Sequence, residues 1–369
     1  MKQKNKNIII SGGGTGGHVF PAISIANAIK EIEPETNILF VGALGRIEME
    51  KVPAAGYKII GLPVAGLQRK LTYKNISFIF KLISSLKESK QIIKNFKPDV
   101  VVGVGGYASG PILREANNKR IPTLIQEQNS YAGITNKLLA KKAKKICVAY
   151  EGMEKYFPKD KIILTGNPVR QDLLNKIDNR TEALRHFELD ENKKTVLIIG
   201  GSLGARTINQ SVIKDLEKVG NSNFQLLWQT GKYYYEDAKK CADSYGFENI
   251  KVLDFIKRMD FAYAAADIII SRAGAGTISE LCLVGKPVIL VPSPNVAEDH
   301  QTKNALALVD KKAAIIVKDL EAKEQLINTA IDLIRNEKLI NILSDNIKGM
   351  ALRDSAKIIA EEVLKLSKV

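Results

Sequence analysis

Two similar strand–glycine–helix openings constrain the fold of this chain more than any other feature of its sequence. The apolar run Ile8–Ile10 leads into Gly12–Gly17, and the apolar run Thr195–Ile199 leads into Gly200–Gly204. A buried strand that enters glycines and then a helical pattern is typical of the first turn of a Rossmann-type βαβ unit. Because the two openings lie almost half a chain apart in 369 residues, we predict two Rossmann-like α/β domains.

Short apolar runs alternate with helical periodicity in both halves, which predicts parallel sheets covered by helices. Further predicted strands lie at 38–41, 99–102, 122–125, 225–228, 251–253, 268–270 and 287–291. We place the junction at Gly166-Asn167-Pro168, so that the domains comprise residues 1–166 and 167–346. The charged helical stretch at about 347–369 is expected to pack back on the first domain.

The charge balance indicates acidic partners. Lys and Arg number 55 against 40 Asp and Glu, which gives a net charge of +15. Such a balance suits nucleic acid, phosphorylated substrates or an anionic membrane surface. No stretch approaches the ~18 apolar residues of a membrane span, and the N-terminus lacks the apolar run of ~7–15 residues of a signal peptide. We therefore expect a cytoplasmic protein that does not cross a membrane.

The first glycine loop formally satisfies the dinucleotide pattern GxGxxG. Its backbone suits any pyrophosphate, because glycines allow close approach and a helix begins there. A nicotinamide-binding protein should carry an acidic residue after the second strand, whereas Val41 is followed here by Gly42–Arg46. No GK[ST] follows the loop, which excludes a nucleotide-hydrolysing P-loop. A tight turn without a ligand is the alternative.

His18 follows this loop in the first turn of the predicted helix. A helix N-terminus disfavours the imidazolium form, which leaves a neutral ring able to accept a proton. We therefore consider His18 a candidate general base, with a positioning or capping role as the alternative.

Ser271–Glu280 repeats the order of strand, small residues and helix. The helix N-terminus would receive phosphates, and Glu280 would accept hydrogen bonds from a ribose diol. Thr277-x-x-Glu280 also matches a capping box, the structural alternative. Downstream, Asp299–Asn304 is polar and either binds sugar hydroxyls or begins a solvated helix.

The stretch Arg69–Lys97 contains eight Lys or Arg and a single acid, Glu88. Apolar residues fall at helical spacing within it: Ile76, Ile79, Phe80 and Ile83. A helix with one apolar and one basic side suits an anionic bilayer surface. An ordinary helix that packs its apolar face on the core is the alternative.

Together, several segments resemble the MurG family of bacterial glycosyltransferases. They are Gly12–Pro21, Gly105–Pro111, Gln126–Asn129, Gly166–Arg170, Gly200–Arg206, Ser271–Glu280 and Asp299–Asn304. The match runs in order across most of the chain, to about Asn304. Members of this family add N-acetylglucosamine to lipid I in peptidoglycan synthesis. The second glycine in Gly274-Ala275-Gly276 departs from the family pattern.

The resemblance implies a GT-B fold, in which two Rossmann-like domains with parallel sheets face a central cleft. Its implied partners are UDP-N-acetylglucosamine on the C-terminal domain, lipid I on the N-terminal domain and the anionic inner membrane leaflet, without nucleic acid. It also implies an inverting transfer, a peripheral location at the cytoplasmic membrane face and a set of donor-binding residues: Thr15, Gly16, Gly17, Asn129, Arg170, Ser202, Ile256, Ala275, Gly276, Thr277, Ile278, Ser279, Glu280 and Gln301.

An attacking sugar hydroxyl needs a proton acceptor, for which His18 is the candidate and Glu127 the reserve. The sequence contains no Asp-x-Asp motif, so we expect catalysis without a metal or another cofactor. Three other functions stay open: a related GT-B enzyme that glycosylates diacylglycerol, a nicotinamide oxidoreductase and a non-catalytic nucleotide-sugar binder.

Overall fold

The structure, a computed structural model, describes residues 5–64, 74–169, 179–201 and 203–368. The chain divides into two compact units, Met1–Val169 with Leu352–Val369, and Arg170–Ala351. The divisions thus follow residues 169 and 351 instead of the expected 166 and 346. The second division lies further along the chain because the helix Glu337–Gly349 continues past residue 346.

The strands of the first unit are β1 (Asn7–Ser11), β2 (Asn37–Ala43), β3 (Lys58–Leu62), β4 (Val100–Gly103), β5 (Thr123–Glu127), β6 (Lys145–Val148) and β7 (Ile162–Leu164). Its helices before the junction are α1 (Gly16–Ile32), α2 (Glu48–Ala54), α3 (Lys74–Phe96), α4 (Ser109–Asn118) and α5 (Ile134–Ala140). The strands pair in parallel in the order β3-β2-β1-β4-β5-β6-β7. Ile8 and Ile10 pack on one side of this sheet and Ile9 on the other, because side chains alternate along a strand.

The strands of the second unit are β8 (Lys194–Ile199), β9 (Phe224–Gln229), β10 (Ile250–Leu253), β11 (Ile268–Ser271), β12 (Val288–Leu290) and β13 (Ile315–Ile316). Its helices are α6 (Arg180–His186), α7 (Arg206–Lys214), α8 (Leu216–Gly220), α9 (Tyr235–Tyr245), α10 (Met259–Ala265), α11 (Ala275–Val284), α12 (His300–Val309), α13 (Ala322–Arg335) and α14 (Glu337–Gly349). The parallel order β10-β9-β8-β11-β12-β13 repeats that of the first unit. The predicted pair of Rossmann-like α/β domains is therefore confirmed.

The end of the chain returns to the first unit. Helix α14 packs against α11 and α13, and Asp354, in the left-handed region with φ 57°, separates it from α15 (Ser355–Leu366). Helix α15 packs along α1. Gly166 has φ 80°, and a Cβ there would lie 2.7 Å from Cβ of Leu352. Glycine is therefore required where the returning chain crosses the end of the first unit.

Each sheet reverses its strand order at one point, between β1 and β4 and between β8 and β11. Ligands of open α/β sheets bind outside the carboxyl ends of the strands at such a reversal. The glycine segments of the sequence follow these four strands, so the fold places them where a ligand is expected. Among the described helices, none has the length and apolar character that spanning a membrane requires.

Candidate functional site

A pocket of about 750 Å³ lies in the second unit, within the size range of small-molecule sites. Loops that follow β8, β10, β11, β12 and β13 contribute to its wall, together with α10. The pocket brings together four of the predicted donor-binding residues: Ile256, Thr277, Glu280 and Gln301. The sequence prediction did not single out Thr207, Gln229, Tyr263 or Asp319, which also line it.

Two helices begin at this pocket with N-cap residues that make no side-chain hydrogen bond. Their N-cap residues are Ala205 for α7 and Gly274 for α11, and neither residue type has a side-chain acceptor. The first N–H groups of each helix therefore lack intrahelical partners and attract an anion. Gly204 shapes the first of these turns, since its φ is 79° and a Cβ would lie 2.0 Å from the Thr230 carbonyl oxygen.

Glu280 does not take part in a capping box. Helix α11 begins at Ala275 with Gly274 as its N-cap, so Thr277 lies inside the first turn and the capping alternative is wrong. Instead, the Tyr263 hydroxyl donates a hydrogen bond of 3.2 Å to Oε2 of Glu280. Burial, and next the Glu280 charge, raises the pKa of Tyr263 well above its usual value. The phenol therefore stays protonated and holds the Glu280 carboxylate in the pocket wall.

Two glutamines brace the loops of the pocket. Oε1 of Gln301 accepts hydrogen bonds from the Ala273 N–H at 3.2 Å and from the Ser293 N–H at 2.9 Å. Oε1 of Gln229 accepts one from the Ile256 N–H at 2.9 Å, while its amide donates to the Gly201 carbonyl at 3.1 Å. The Ile256 N–H is therefore already engaged in a hydrogen bond to Gln229. The carbonyl oxygen of Ile256 is the backbone atom that remains for a contact with a ligand.

A partly buried ion pair lies in the pocket wall. Nη1 of Arg272 donates to Asp319 and, at 3.0 Å, to the Val291 carbonyl. Oδ2 of Asp319 also accepts a hydrogen bond of 2.9 Å from the Thr207 hydroxyl at the start of α7. Asp319 therefore links the N-terminus of α7, through Thr207, to the loop that precedes α11, through Arg272.

The remaining residues predicted on α11 have other surroundings. The side chain of Ile278 is buried, and its N–H donates a hydrogen bond of 2.9 Å to the Gly274 carbonyl; that Ile278 belongs to the donor site stays a prediction. The Ser279 hydroxyl donates 3.1 Å to the Ala275 carbonyl. Ala275 and Gly276 form the first turn of α11. Arg170 and Ser202 lie outside the described residues.

In the first unit, His18 lies in the first turn of α1, as predicted, with Thr15 as the N-cap residue. Its Nδ1 is 3.1 Å from the Gly13 carbonyl oxygen and 3.3 Å from the Thr15 hydroxyl. Because a carbonyl only accepts, Nδ1 carries the proton of the neutral ring and Nε2 carries the lone pair. Gly105 has φ 97°, and a Cβ there would lie 2.8 Å from Nε2. The glycine is therefore needed to admit the imidazole.

Glu127 organises a loop and is not placed to act as a base. Its side chain is buried, and Oε1 accepts hydrogen bonds from the Asn129 N–H at 3.0 Å and from the Asn129 side-chain amide at 3.2 Å. Oε2 accepts from the Gly133 N–H at 3.0 Å and from the Asn136 amide at 2.9 Å. Four hydrogen bonds occupy both oxygens, so we withdraw Glu127 as the reserve base. They also orient Asn129 at the end of β5.

Helix α3 exposes part of the predicted apolar face. Phe80 is 70% exposed and Ile83 is 59% exposed. The same helix turns Ser85, Ser89 and Ile92 inward, so the core-facing alternative is wrong for Phe80 and Ile83. The side chains of Ile76 and Ile79 lie outside the described part of the structure.

Both halves of the chain are similar to known glycosyltransferases. The glycosyltransferase family 28 N-terminal domain matches residues 8–148, and the C-terminal domain of that family matches residues 195–359. Two curated relatives are named UDP-N-acetylglucosamine–N-acetylmuramyl-(pentapeptide) pyrophosphoryl-undecaprenol N-acetylglucosamine transferase. The one from Bacteroides thetaiotaomicron is 61% identical and covers 99% of both chains. The one from Phocaeicola vulgatus is 62% identical, over 99% of this chain and 97% of that one.

Two solved structures share the fold. The crystal structure of MurG from Acinetobacter baumannii is 28% identical with a TM-score of 0.81, over 98% of this chain and 99% of that one. A UDP-N-acetylglucosamine 2-epimerase from Neisseria meningitidis is 16% identical with a TM-score of 0.66, over 97% and 100%. The second likeness concerns the fold alone.

Proposed function

The chain belongs to the MurG family within glycosyltransferase family 28, and from this premise we propose that it moves N-acetylglucosamine from UDP-N-acetylglucosamine to the muramic 4-hydroxyl of lipid I. The product is lipid II, made through a β-1,4 linkage in peptidoglycan synthesis. Its two parallel-sheet domains are those of the predicted GT-B fold. The observation that carries the proposal is the pocket of the second unit, where Glu280 shares a wall with the N-termini of α7 and α11.

The nucleotide part of the donor has complementary groups in this pocket. The diphosphate suits the N-termini of α7 and α11, with Arg272 nearby as the cation. The ribose diol suits the Glu280 carboxylate, and the uracil suits the backbone around Ile256. We propose that Thr277 and Gln301 complete the site together with groups that remain predictions: Arg170, Ser202, and Thr15, Gly16, Gly17 and Asn129 of the first unit.

The reaction needs a base and a stabilised leaving group. We propose that Nε2 of His18 accepts the proton of the muramic hydroxyl as that oxygen attacks the anomeric carbon. The bond from this carbon to the UDP oxygen breaks on the opposite face, so the configuration inverts. UDP departs with additional negative charge, which the two helix N-termini and Arg272 are suited to stabilise.

These fixed dipoles and the guanidinium provide the charge stabilisation that a divalent cation supplies in other enzymes. Among the described residues, no group of three or more His, Cys, Asp or Glu side chains is arranged to hold a metal. Because the helix N-termini and Arg272 are suited to stabilise departing UDP, we propose that catalysis is metal-independent and needs no other cofactor.

Donor binding tests the proposal separately from turnover. We expect UDP-N-acetylglucosamine to bind with one-to-one stoichiometry in calorimetry, and UDP to displace it. NAD is expected not to bind, because the end of β2 and the residues directly after it, up to Arg46, include no acid to hold its ribose. Binding of NAD without binding of UDP would overturn the donor assignment and favour the oxidoreductase.

We also propose that the first unit docks on the anionic leaflet at the cytoplasmic face of the membrane, and that nucleic acid is not a partner. Besides Phe80 and Ile83 on α3, helix α5 exposes Ile134 (60%) and Leu138 (78%). Helix α4 packs against both α3 and α5, so the two helices lie on the same side of the sheet. Lysines accompany them: Lys81, Lys87, Lys137, Lys141 and Lys142. Apolar anchors with basic flanks suit an anionic bilayer surface.

Changing Phe80 and Ile83 together to serine is expected to reduce binding to phosphatidylglycerol vesicles by about tenfold or more, since two exposed apolar anchors are lost. Co-sedimentation measures the change. The matched control is Leu320→Ser, which alters a 95% exposed leucine of the second unit and should leave binding unchanged. Unchanged vesicle binding of the double variant with lowered thermal stability would mean that Phe80 and Ile83 have a structural role.

A further inference from the structure

A buried carboxylate lies beneath the first glycine loop. Glu48, the first residue of α2, is 0% exposed. Its Oε2 accepts a hydrogen bond of 2.9 Å from the Gly14 N–H, and its Oε1 accepts one of 2.9 Å from the Ala43 N–H. Neither of these donors is charged, although burying a carboxylate is costly without a partner. Two backbone donors therefore fix both oxygens beneath the loop.

Two glycines, Gly13 and Gly42, make room for this carboxylate, and Gly106 makes room for the Gly13 carbonyl. A Cβ on Gly13 would lie 2.0 Å from Oε1 of Glu48, and one on Gly42 would lie 2.6 Å from its Cγ. A Cβ on Gly106 would lie 2.4 Å from the Gly13 carbonyl oxygen. The glycines that resemble a dinucleotide-binding motif thus leave space for the Glu48 carboxylate. This internal anion accepts a hydrogen bond from the Gly14 N–H.

One peptide group connects Glu48 to His18. The Gly14 N–H that donates to Glu48 and the Gly13 carbonyl that accepts from Nδ1 of His18 belong to the same peptide unit. A hydrogen bond to an anion polarises a peptide, so its carbonyl becomes a better acceptor. The carboxylate therefore acts on the imidazole through the peptide, much as a carboxylate in direct contact fixes the tautomer of a functional histidine.

We propose that Glu48 is a positioning residue for the catalytic histidine. Through the Gly13–Gly14 peptide it fixes the Nδ1–H tautomer of His18 and stabilises the imidazolium that forms when Nε2 accepts the proton. This inference rests on the proposed role of His18 as the base.

Other charged groups of α2 and the loop before it are at the surface: Glu50 and Lys51 pair with each other, and Arg46 is exposed. On the loop after β4, the titratable group is the exposed Tyr107. At the end of β5, Gln128 is neutral and Glu127 is buried.

Histidine NMR tests the inference without substrates, because the chain has three histidines: His18, His186 and His300. In full-length protein labelled with ¹⁵N-histidine, we expect His18, assigned with His18→Ala, to show the Nδ1–H tautomer. In Glu48→Gln its titration midpoint should fall by roughly half a unit to one unit, the size expected for one charge acting over several ångströms. His186 and His300 should not move. A wild-type Nε2–H tautomer overturns the proposal even if Glu48→Gln does not fold, as does an unchanged midpoint.

Kinetics separate this inference from the proposed function. We expect Glu48→Gln to lower kcat by about tenfold or more, as for other carboxylates that orient a functional histidine, with UDP affinity unchanged and the acid limb of the pH profile shifted to lower pH. In the His18→Ala background the same change should have little further effect. Glu50→Gln, on the exposed side of α2, is the matched control. Equal losses in both backgrounds would make Glu48 purely structural. Absence of transfer by the wild-type protein would instead refute the proposed function, with the NMR result unaffected.

Discussion

His18→Ala is expected to lower kcat by roughly 10²–10⁴-fold, the usual contribution of a general base, with UDP affinity preserved. The loss follows because Nε2 is the ring nitrogen that carries the lone pair when Nδ1 donates to the Gly13 carbonyl. Steady-state rates at saturating donor and acceptor measure the change, and calorimetry with UDP shows whether the donor site is intact.

His18→Asn provides the matched control for the shape of the loop. The asparagine amide keeps a donor close to the position of Nδ1 but offers no basic nitrogen. We expect it to be as slow as His18→Ala while retaining the thermal stability of the wild type. A near-normal rate of either variant would contradict the role of His18 as the base and leave it a positioning residue.

Glu280→Ala is expected to raise the donor KM by about 10- to 100-fold with a modest loss of thermal stability. A hydrogen bond to a charged group contributes about 1.5–3 kcal/mol, which corresponds to that range of affinity. Glu280 is not part of the N-cap of α11, so the loss of stability should be limited to about 1–3 kcal/mol, the cost of leaving the buried Tyr263 hydroxyl without this acceptor. Donor titrations at fixed acceptor and thermal melts measure the two effects.

The donor analogue that lacks the ribose hydroxyls makes this test specific. Dideoxy-UDP-N-acetylglucosamine should bind the wild type and Glu280→Ala equally weakly, because it offers nothing for the carboxylate to accept. Tyr263→Phe removes only the hydroxyl that contacts Glu280 and should raise the KM of the normal donor by a smaller factor. Loss of stability in Glu280→Ala without a change in KM would return this residue to a structural role.

The sequence predicted the parts of the fold that depend on apolar runs and glycine turns. Ile8–Ile10 and Thr195–Ile199 read as buried strands, and each lies at the centre of its sheet. The edge strands β3 and β13 were not predicted, because Lys58–Leu62 and Ile315–Ile316 are short and only partly buried. Strands β6 and β7, which were also not predicted, are only four and three residues long. Such segments are defined by pairing to a neighbour, which periodicity alone does not show.

The site was predictable where residues directly follow the carboxyl ends of strands, and less so elsewhere. Glu280 and Gln301 line the pocket as expected, whereas Tyr263 comes from α10 and carries no motif. The capping box failed because α11 begins two residues before Thr277, a difference that propensity does not resolve. Glu48 belonged to no pattern, and only the hydrogen bonds of the folded chain connect it to His18.

The most direct test of the account is transfer of radiolabelled N-acetylglucosamine from its UDP donor to a short-chain lipid I analogue, run with a chelator and beside diacylglycerol. We predict a labelled β-1,4-linked disaccharide lipid from the lipid I analogue, at a rate that the chelator does not lower and added magnesium does not raise. Label in diacylglycerol alone would contradict the acceptor. Activity abolished by the chelator and restored by magnesium would contradict catalysis by helix N-termini and Arg272 without a metal.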